Sequence, residues 1–336
     1  HAEGFYTTAS ALYSHAEGNT TYALGISAHS EGTVTTAQGN YSHAEGTFTI
    51  ALGPSSHAEG NETHANGGGA HSEGSFTSAS GASSHAEGYQ TTALGDYSHA
   101  EGYASIARGD YSHAEGTQNQ SFGLYSHVEG RLNSSVGDYS HAEGRSTMSS
   151  GSYSHAEGRT TISRGSYSHA EGFESLSSGI YSHAEGNGTE SAGDYSHAEG
   201  YFTIVTAGGD NGHAEGYQTQ VIGQAGHSEG YLTTASNYAH AQGVATYAQG
   251  IGSFAGGIGT IAAGAYQSTL GKYNVSDNGA NTLLIIGNGT STSVRSTAFK
   301  VKTDPGTGVG SIVIQTGSMG STNPAWTGEE GEIVPI

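Results

Sequence analysis

The sequence predicts an all-β fold: a stack of short coils forming a β-solenoid, followed by a small β-rich module. Three observations carry this. The motif Ser-His-Ala-Glu-Gly returns every fourteen residues, each fourteen divides into two similar sevens, and within each seven small residues alternate with variable ones. Only 33% of the 336 residues are hydrophobic and 56 are Gly, so a large Leu/Ile/Phe core is not expected. Gly- and Ser-rich composition alone would suggest disorder, but a disordered tract needs no register.

The period comes first. Motif histidines run from His1, His15 and His29 to His197 at unbroken intervals of fourteen, then to His213 after sixteen, His227 after fourteen and His240 after thirteen. "SHAEG" (Ser98 to Gly102) is followed seven residues later by "SIARG" (Ser105 to Gly109). Beyond His240 the halves continue as "HAQG", "YAQG", "FAGG" and "IAAG", ending near Gly271. Five alternating positions make a short strand, and Gly allows the turn after it. A helix is excluded, because Gly at every seventh position would cost about 1 kcal/mol each time relative to Ala. About eighteen coils at a rise of ~4.8 Å predict a rod of roughly 85 Å for residues 1–250. The sixteen-residue interval predicts a local bulge around Thr206 to Asn211, with the stack continuing on both sides.

Alternation assigns the faces. Ser105, Ala107 and Gly109 point into a very thin coil, and Ile106 and Arg108 point out. The Ser105 position recurs as Thr91, Thr161 and Ser175, whose hydroxyls would hydrogen-bond inside. The Ile106 position varies freely (Thr92, Gln120, Ser134, Met148, Glu190), as a solvated column would. The first half differs. There the outward column is His and Glu in nearly every coil, often with Tyr before them. Alternation puts Tyr97, His99 and Glu101 on one face, with Tyr111, His113 and Glu115, Tyr125, His127 and Glu129, and Tyr139, His141 and Glu143 in the following coils. Solvent does not require the same three residues each time, so another copy of the chain is the simplest partner. Glu residues ~4.8 Å apart would repel one another unless His and Tyr donors satisfied them.

The formal charge of −21, with no Lys or Arg before Arg108, argues against nucleic acid and against an anionic membrane surface. No apolar run is long enough to span a bilayer, so no membrane insertion is expected. The absence of Cys removes disulfide stapling. The chain starts in mid-motif at His1, as a fragment or a processed product would. His-x-Glu occurs in the zinc deaminase signature, but that signature also needs Cys ligands. One good pocket suffices for catalysis, so many copies of His-x-Glu argue against an enzyme, and no cofactor is expected. No metal is expected either. The minority alternative is a tris-imidazole site if His113, His127 or His141 converged on an axis. His64 lies off the motif column and is expected to be exposed. Tyr89, Tyr103, Phe173, Tyr201, Tyr217 and Tyr231 follow the motif at the corner between strand and turn. There they cover the coil edge or offer a glycan-stacking surface. Arg131, Arg145 and Arg159 hold the same corner in three successive coils. Ice binding is disfavoured because the regular Thr column (Thr7, Thr35, Thr91, Thr161) faces inward.

On the half-repeats "SHAEG", "TTALG", "TIALG" and "SIARG", residues 1–271 resemble the head repeat of trimeric autotransporter adhesins, the YadA-like heads. That resemblance implies a left-handed parallel β-roll with three chains around one axis. The adhesins commonly carry aliphatics on the strand where His and Glu stand here, which implies a polar axis. The "YSHAEG" form also resembles repeats in tail-fibre proteins of phages and prophages of Gram-positive bacteria. "GKYNVSDNGANTLLIIGNGTSTSVRSTAFKV" (Gly271 to Val301) is similar to a module of such fibres. In its own terms, "TLLIIG" and "AFKVKT" are β-rich runs separated by the turn-forming "NGTSTS", and "SIVIQTG" (Ser311 to Gly317) is a further strand. The domain reading is therefore 1–271 repeats, 272–317 β-rich module, and 318–336 a segment that starts something further. The functional expectation is a homotrimeric virion tail fibre that touches a glycan or protein receptor on a bacterium and joins other tail or baseplate proteins. The alternative is a bacterial cell-surface adhesin head. With Phe254 standing one coil after His240, the trimer axis is expected to turn apolar toward the C-terminal module.

Overall fold

The computed structural model describes residues 1–279, 281–303, 306–308 and 310–314. The chain forms two compact units, His1–Glu171 and Gly172–Ile336. Among the described residues, the secondary structure of both units is strand and turn.

In the first unit each coil contributes a longer strand that opens on the motif His, such as His85–Tyr89, and a two-residue strand, such as Thr92–Ala93. Both pair in parallel with the same element of the next coil, His71 with His85 and Ser78 with Thr92. Every motif residue therefore meets its own equivalent, which makes the fold a parallel β-solenoid of fourteen-residue coils. The second unit repeats this, His183 with His197 and Glu190 with Ile204.

The faces follow the alternation. Ser105, Ala107 and Gly109 are buried, Ile106 is half-buried and Arg108 is exposed. Ala86, Ala100 and Ala114 are fully buried on the longer strand, while the His and Glu between them are half-buried on the outer side. An Ala methyl removes little area from water at ~25 cal/mol per Å², so hydrogen bonds inside the coil carry a large share of its definition. Ser30 and Thr35 hydroxyls pair at 2.7 Å, Ser163 and Ser168 at 2.6 Å, and the Ser98 hydroxyl donates to the Gly95 carbonyl at 2.6 Å. Asn119 and Asn133 occupy the same inward column. The Asn133 N–H donates to Asn119 Oδ1 at 2.9 Å, and Asn119 Nδ2 donates to the Gly130 carbonyl at 2.9 Å.

The corners correct one expectation. Tyr97, Tyr111, Tyr125 and Tyr139 do not extend the His/Glu strand. They sit in the preceding turn with φ of 57°, 57°, 55° and 56°, and they are about half exposed. In the left-handed region the alternation of a strand no longer applies, so it does not place these rings on the His/Glu face. A left-handed non-Gly residue costs roughly 1–2 kcal/mol. Stacking offsets part of this: the Tyr111 N–H donates to the Asp96 carbonyl at 2.8 Å, and its ring stacks on Tyr97 at 4.9 Å and Tyr125 at 4.6 Å. The residue before Tyr adds a ladder of its own. Asp96 Oδ1 accepts from the Ala82 N–H at 2.8 Å, and Asp110 Oδ1 from the Asp96 N–H at 2.9 Å.

In the second unit the sixteen-residue interval places two extra residues in the turn between Val205 and His213. Pairing continues on both sides, His197 with His213 and Val205 with Val221. Val205 and Val221 are fully buried where most other coils carry Ala or Ser, so they fill the widened coil. The composition changes at Gly271, but the pairing does not break there: Ser268–Lys272 pairs in parallel with Thr282–Asn288. The sheet then turns antiparallel, with Thr297–Thr303 on Thr282–Asn288 and Gly310–Ile314 on Thr297–Thr303. The last three residues of "SIVIQTG" and the segment 318–336 lie outside the described residues.

Asn274 closes the column of short strands. Its side chain accepts from the Ile261 N–H at 2.8 Å and donates to the Ile261 carbonyl at 2.9 Å, so one amide stands in for the missing next strand. Asp277 anchors the module. It pairs with Lys300, accepts from the Gly279 N–H at 2.9 Å and from the Thr282 hydroxyl at 2.8 Å. Burial pushes its carboxyl up, but the Lys300 bond and the other donors outweigh this and hold it at about 2.

Candidate functional site

The parallel register brings the motif histidines and glutamates together as a column on one face of each unit. Imidazole rings of successive coils stack face to face: His43 on His57 at 4.7 Å and 2°, His71 on His85 at 4.8 Å and 1°, and His197 on His213 at 4.9 Å and 2°. His127 departs from this, its ring turned by 53° from His113 and 42° from His141, in the coil where Val128 replaces the buried Ala.

Most imidazole Nε2 atoms of the column face carboxylates of their own coil or the coil before. His99 lies 3.2 Å from Glu87, and His113 lies 3.4 Å from Glu101 and 3.6 Å from Glu115. His127 lies 3.8 Å from Glu129 and His141 lies 3.5 Å from Glu143. The Nε2 atoms of His43, His57, His71, His113, His127 and His141 are buried without a hydrogen-bond partner. Burial, aided by neighbouring imidazoles, lowers the pKa of His43, His57, His127 and His141, which keeps them neutral at pH 7. The carboxyls interact along the column. A hydrogen bond with Glu171, together with burial, pushes Glu157 up to about 7, while the Glu157 bond holds Glu143 below its ordinary range. Neighbouring glutamates thus relieve their repulsion by sharing protons. Histidine also satisfies carboxylates here, as the sequence suggests: His85 Nε2 is hydrogen-bonded to Glu73 at 3.1 Å and His99 Nε2 to Glu87 at 3.2 Å. At the first coils an open groove of about 420 Å³ is lined by Glu3, Glu17 and Glu31 together with Gly4, Gly18, Gly32 and Gly46.

The column becomes apolar at its C-terminal end. His240 meets Phe254 edge-on at 5.2 Å, and in the next register steps Ser268 and Leu270 lie opposite Leu284 and Ile286. Leu270 is 41% and Ile286 37% exposed on this face.

The corner aromatics form separate ladders on each unit. Tyr89 and Tyr103 stack at 5.5 Å in the first, and Tyr201, Tyr217 and Tyr231 stack at 4.9 Å per step in the second. All five are exposed, and Phe173 is half-buried. Arg131, Arg145 and Arg159 align in successive coils and are exposed. His64 is half-buried rather than exposed, because it is part of a short strand, on its outward column. The sequence reading missed the Asp96 and Asp110 ladder, the buried Asn119 and Asn133, and the cap at Asn274. Repetition of "GDYSHAEG" was the available signal for the first. The other three needed the register.

The family model of the YadA head domain repeat matches residues 35–56, 44–70, 72–98 and 86–112. No curated protein matches the chain. Together with the parallel coils, the match supports a YadA-like head β-roll repeat within residues 35–112.

Proposed function

We propose that this chain is the shaft and receptor-binding part of a homotrimeric fibre, a tail fibre of a phage or phage-like particle that attaches to a bacterial surface. The observation that carries the trimer is the column's apolar end. Phe254, Leu270 and Ile286 stand in line with the His/Glu face, and exposed aliphatics in register with a half-buried polar column suit an axis covered by two further chains. The His and Glu residues would then set register between chains, since a slip misaligns every polar level at once. In this reading the protein acts by display and contact rather than by turnover. Leu270→Asp combined with Ile286→Asp should convert a trimer into monomers in sedimentation equilibrium. A wild-type chain that remains a stable folded monomer at micromolar concentration would overturn the trimer.

The ligand surface in this reading is the exposed tyrosine ladder, whose flat rings suit sugar faces of a bacterial glycan. Tyr201→Ala, Tyr217→Ala and Tyr231→Ala together should abolish binding to whole cells while leaving the melting temperature within a few degrees. Undiminished binding would move the receptor site elsewhere. A second reading, the head of a bacterial surface adhesin, is favoured by the family match at residues 35–112. A membrane-anchor domain encoded downstream would select it, and neighbouring baseplate and lysis genes would select the tail fibre.

A further inference from the structure

We propose that the His/Glu column of a single chain is a linear array of divalent transition-metal sites, each made by imidazoles and a carboxylate from successive coils. The donor set is the first argument. Neutral imidazole and carboxylate oxygen together suit zinc, nickel or cobalt(II), while an all-oxygen set would suit magnesium or calcium. The ligand atoms of His99, Glu101 and His113 lie within 4.8 Å of one another, and so do those of His113, Glu115 and His127.

The spacing is the second argument. Two ligands bound 2.0–2.1 Å from a tetrahedral ion stand about 3.3 Å apart. The Nε2 to Oε distances are 3.2 Å for His99 with Glu87, 3.4 Å for His113 with Glu101, 3.5 Å for His71 with Glu59 and 3.6 Å for His113 with Glu115. Several of these are long for a hydrogen bond and close to the edge of a coordination tetrahedron. The second imidazole must swing inward from its stacked position to complete the set. Rotations of 53° and 42° around His127 show that rings turn within the column without loss of strand register.

The third observation is independent of the spacing. The Nε2 atoms of His43, His57, His71, His113, His127 and His141 are buried and have no hydrogen-bond partner. Buried polar atoms are nearly always satisfied, so a row of such nitrogens aimed at carboxylates calls for something between them. An ion at that point satisfies both groups and ties one coil to the next. Each Nε2 can serve only one ion, so filled gaps alternate with unfilled ones, on the order of one ion per two coils. The array needs one chain only and stands whether or not the trimer forms.

The test is equilibrium dialysis of the full chain against zinc chloride at pH 7.5, with bound zinc measured by mass spectrometry. Several ions per chain are expected, together with a melting temperature that rises with zinc and returns with chelator. Replacing His99, His113, His127 and His141 with Gln should remove about two ions per chain, while His64→Gln, off the column, should remove none. Less than one ion per chain, or a stoichiometry indifferent to the fourfold change, overturns the proposal. Should the fourfold variant fail to fold, X-ray absorption on the zinc-loaded wild type decides: imidazole scattering supports the array, and an all-oxygen shell overturns it.

Discussion

Gly60 shows how tightly single residues are specified. Its φ is +111°, and a Cβ there would lie 2.2 Å from the Gly74 carbonyl oxygen, a backbone atom that cannot step aside. Gly60→Ala is expected to cost about 3 kcal/mol or more, the range of strain plus overpacking. Gly308→Ala, at φ +71° with open space around it, should cost only ~1 kcal/mol. Chemical denaturation of both variants checks the contrast, and equal losses would contradict it. The histidines make a second prediction. Their pKa values are lowered in the folded state, so the unfolded chain binds more protons near pH 6. Their contribution is complete above about 6.5, and stability is lost as pH falls below that value. Glu157 works in the opposite sense: its raised pKa contributes stability that is full below about 4.5 and is lost as pH rises from there to about 7. With many histidines against one such carboxyl, thermal melts between pH 5 and 8 should show a melting temperature that rises from pH 5 and levels off near neutrality. A melting temperature that climbs steadily toward pH 5 would contradict the buried neutral imidazoles.

At the scale of the element, each coil has little apolar area and depends on its neighbours. Asn274 marks where the short strands stop. Asn274→Ala would leave the Ile261 N–H and carbonyl unpaired, at about 1–3 kcal/mol per buried group. Hydrogen exchange at Ile261 should accelerate at least tenfold in this variant while Ala107 in the first unit is unaffected; unchanged exchange would refute the cap. The coil itself was legible in the sequence because a strict period and strict alternation are both long-range signals. Ser105, Ala107 and Gly109 fell inside as alternation required, and the insertion before His213 fell in a turn. Tyr97 was misread for a physical reason. Alternation holds only while the backbone stays extended, and nothing in "DYSHAEG" marks the left-handed turn that a bulky Tyr rarely adopts. Asn274 was illegible because its role depends on Ile261, thirteen residues earlier, which only the folded register brings beside it.

At the scale of the whole molecule, the balance is between like charges and a covered face. The chain carries a formal charge of −21. Association of identical chains must overcome that repulsion, which salt screens with a Debye length of about 8 Å at 0.15 M. The proposed trimer should therefore tighten as ionic strength rises from low to physiological values, opposite to an assembly held by surface ion pairs. Sedimentation equilibrium at micromolar concentration in 0.15 M salt tests the account most directly. A single species of three times the chain mass, reduced to one chain mass by Leu270→Asp with Ile286→Asp, is the predicted result. A folded wild-type species of one chain mass would contradict it, and would return the His/Glu column to solvent.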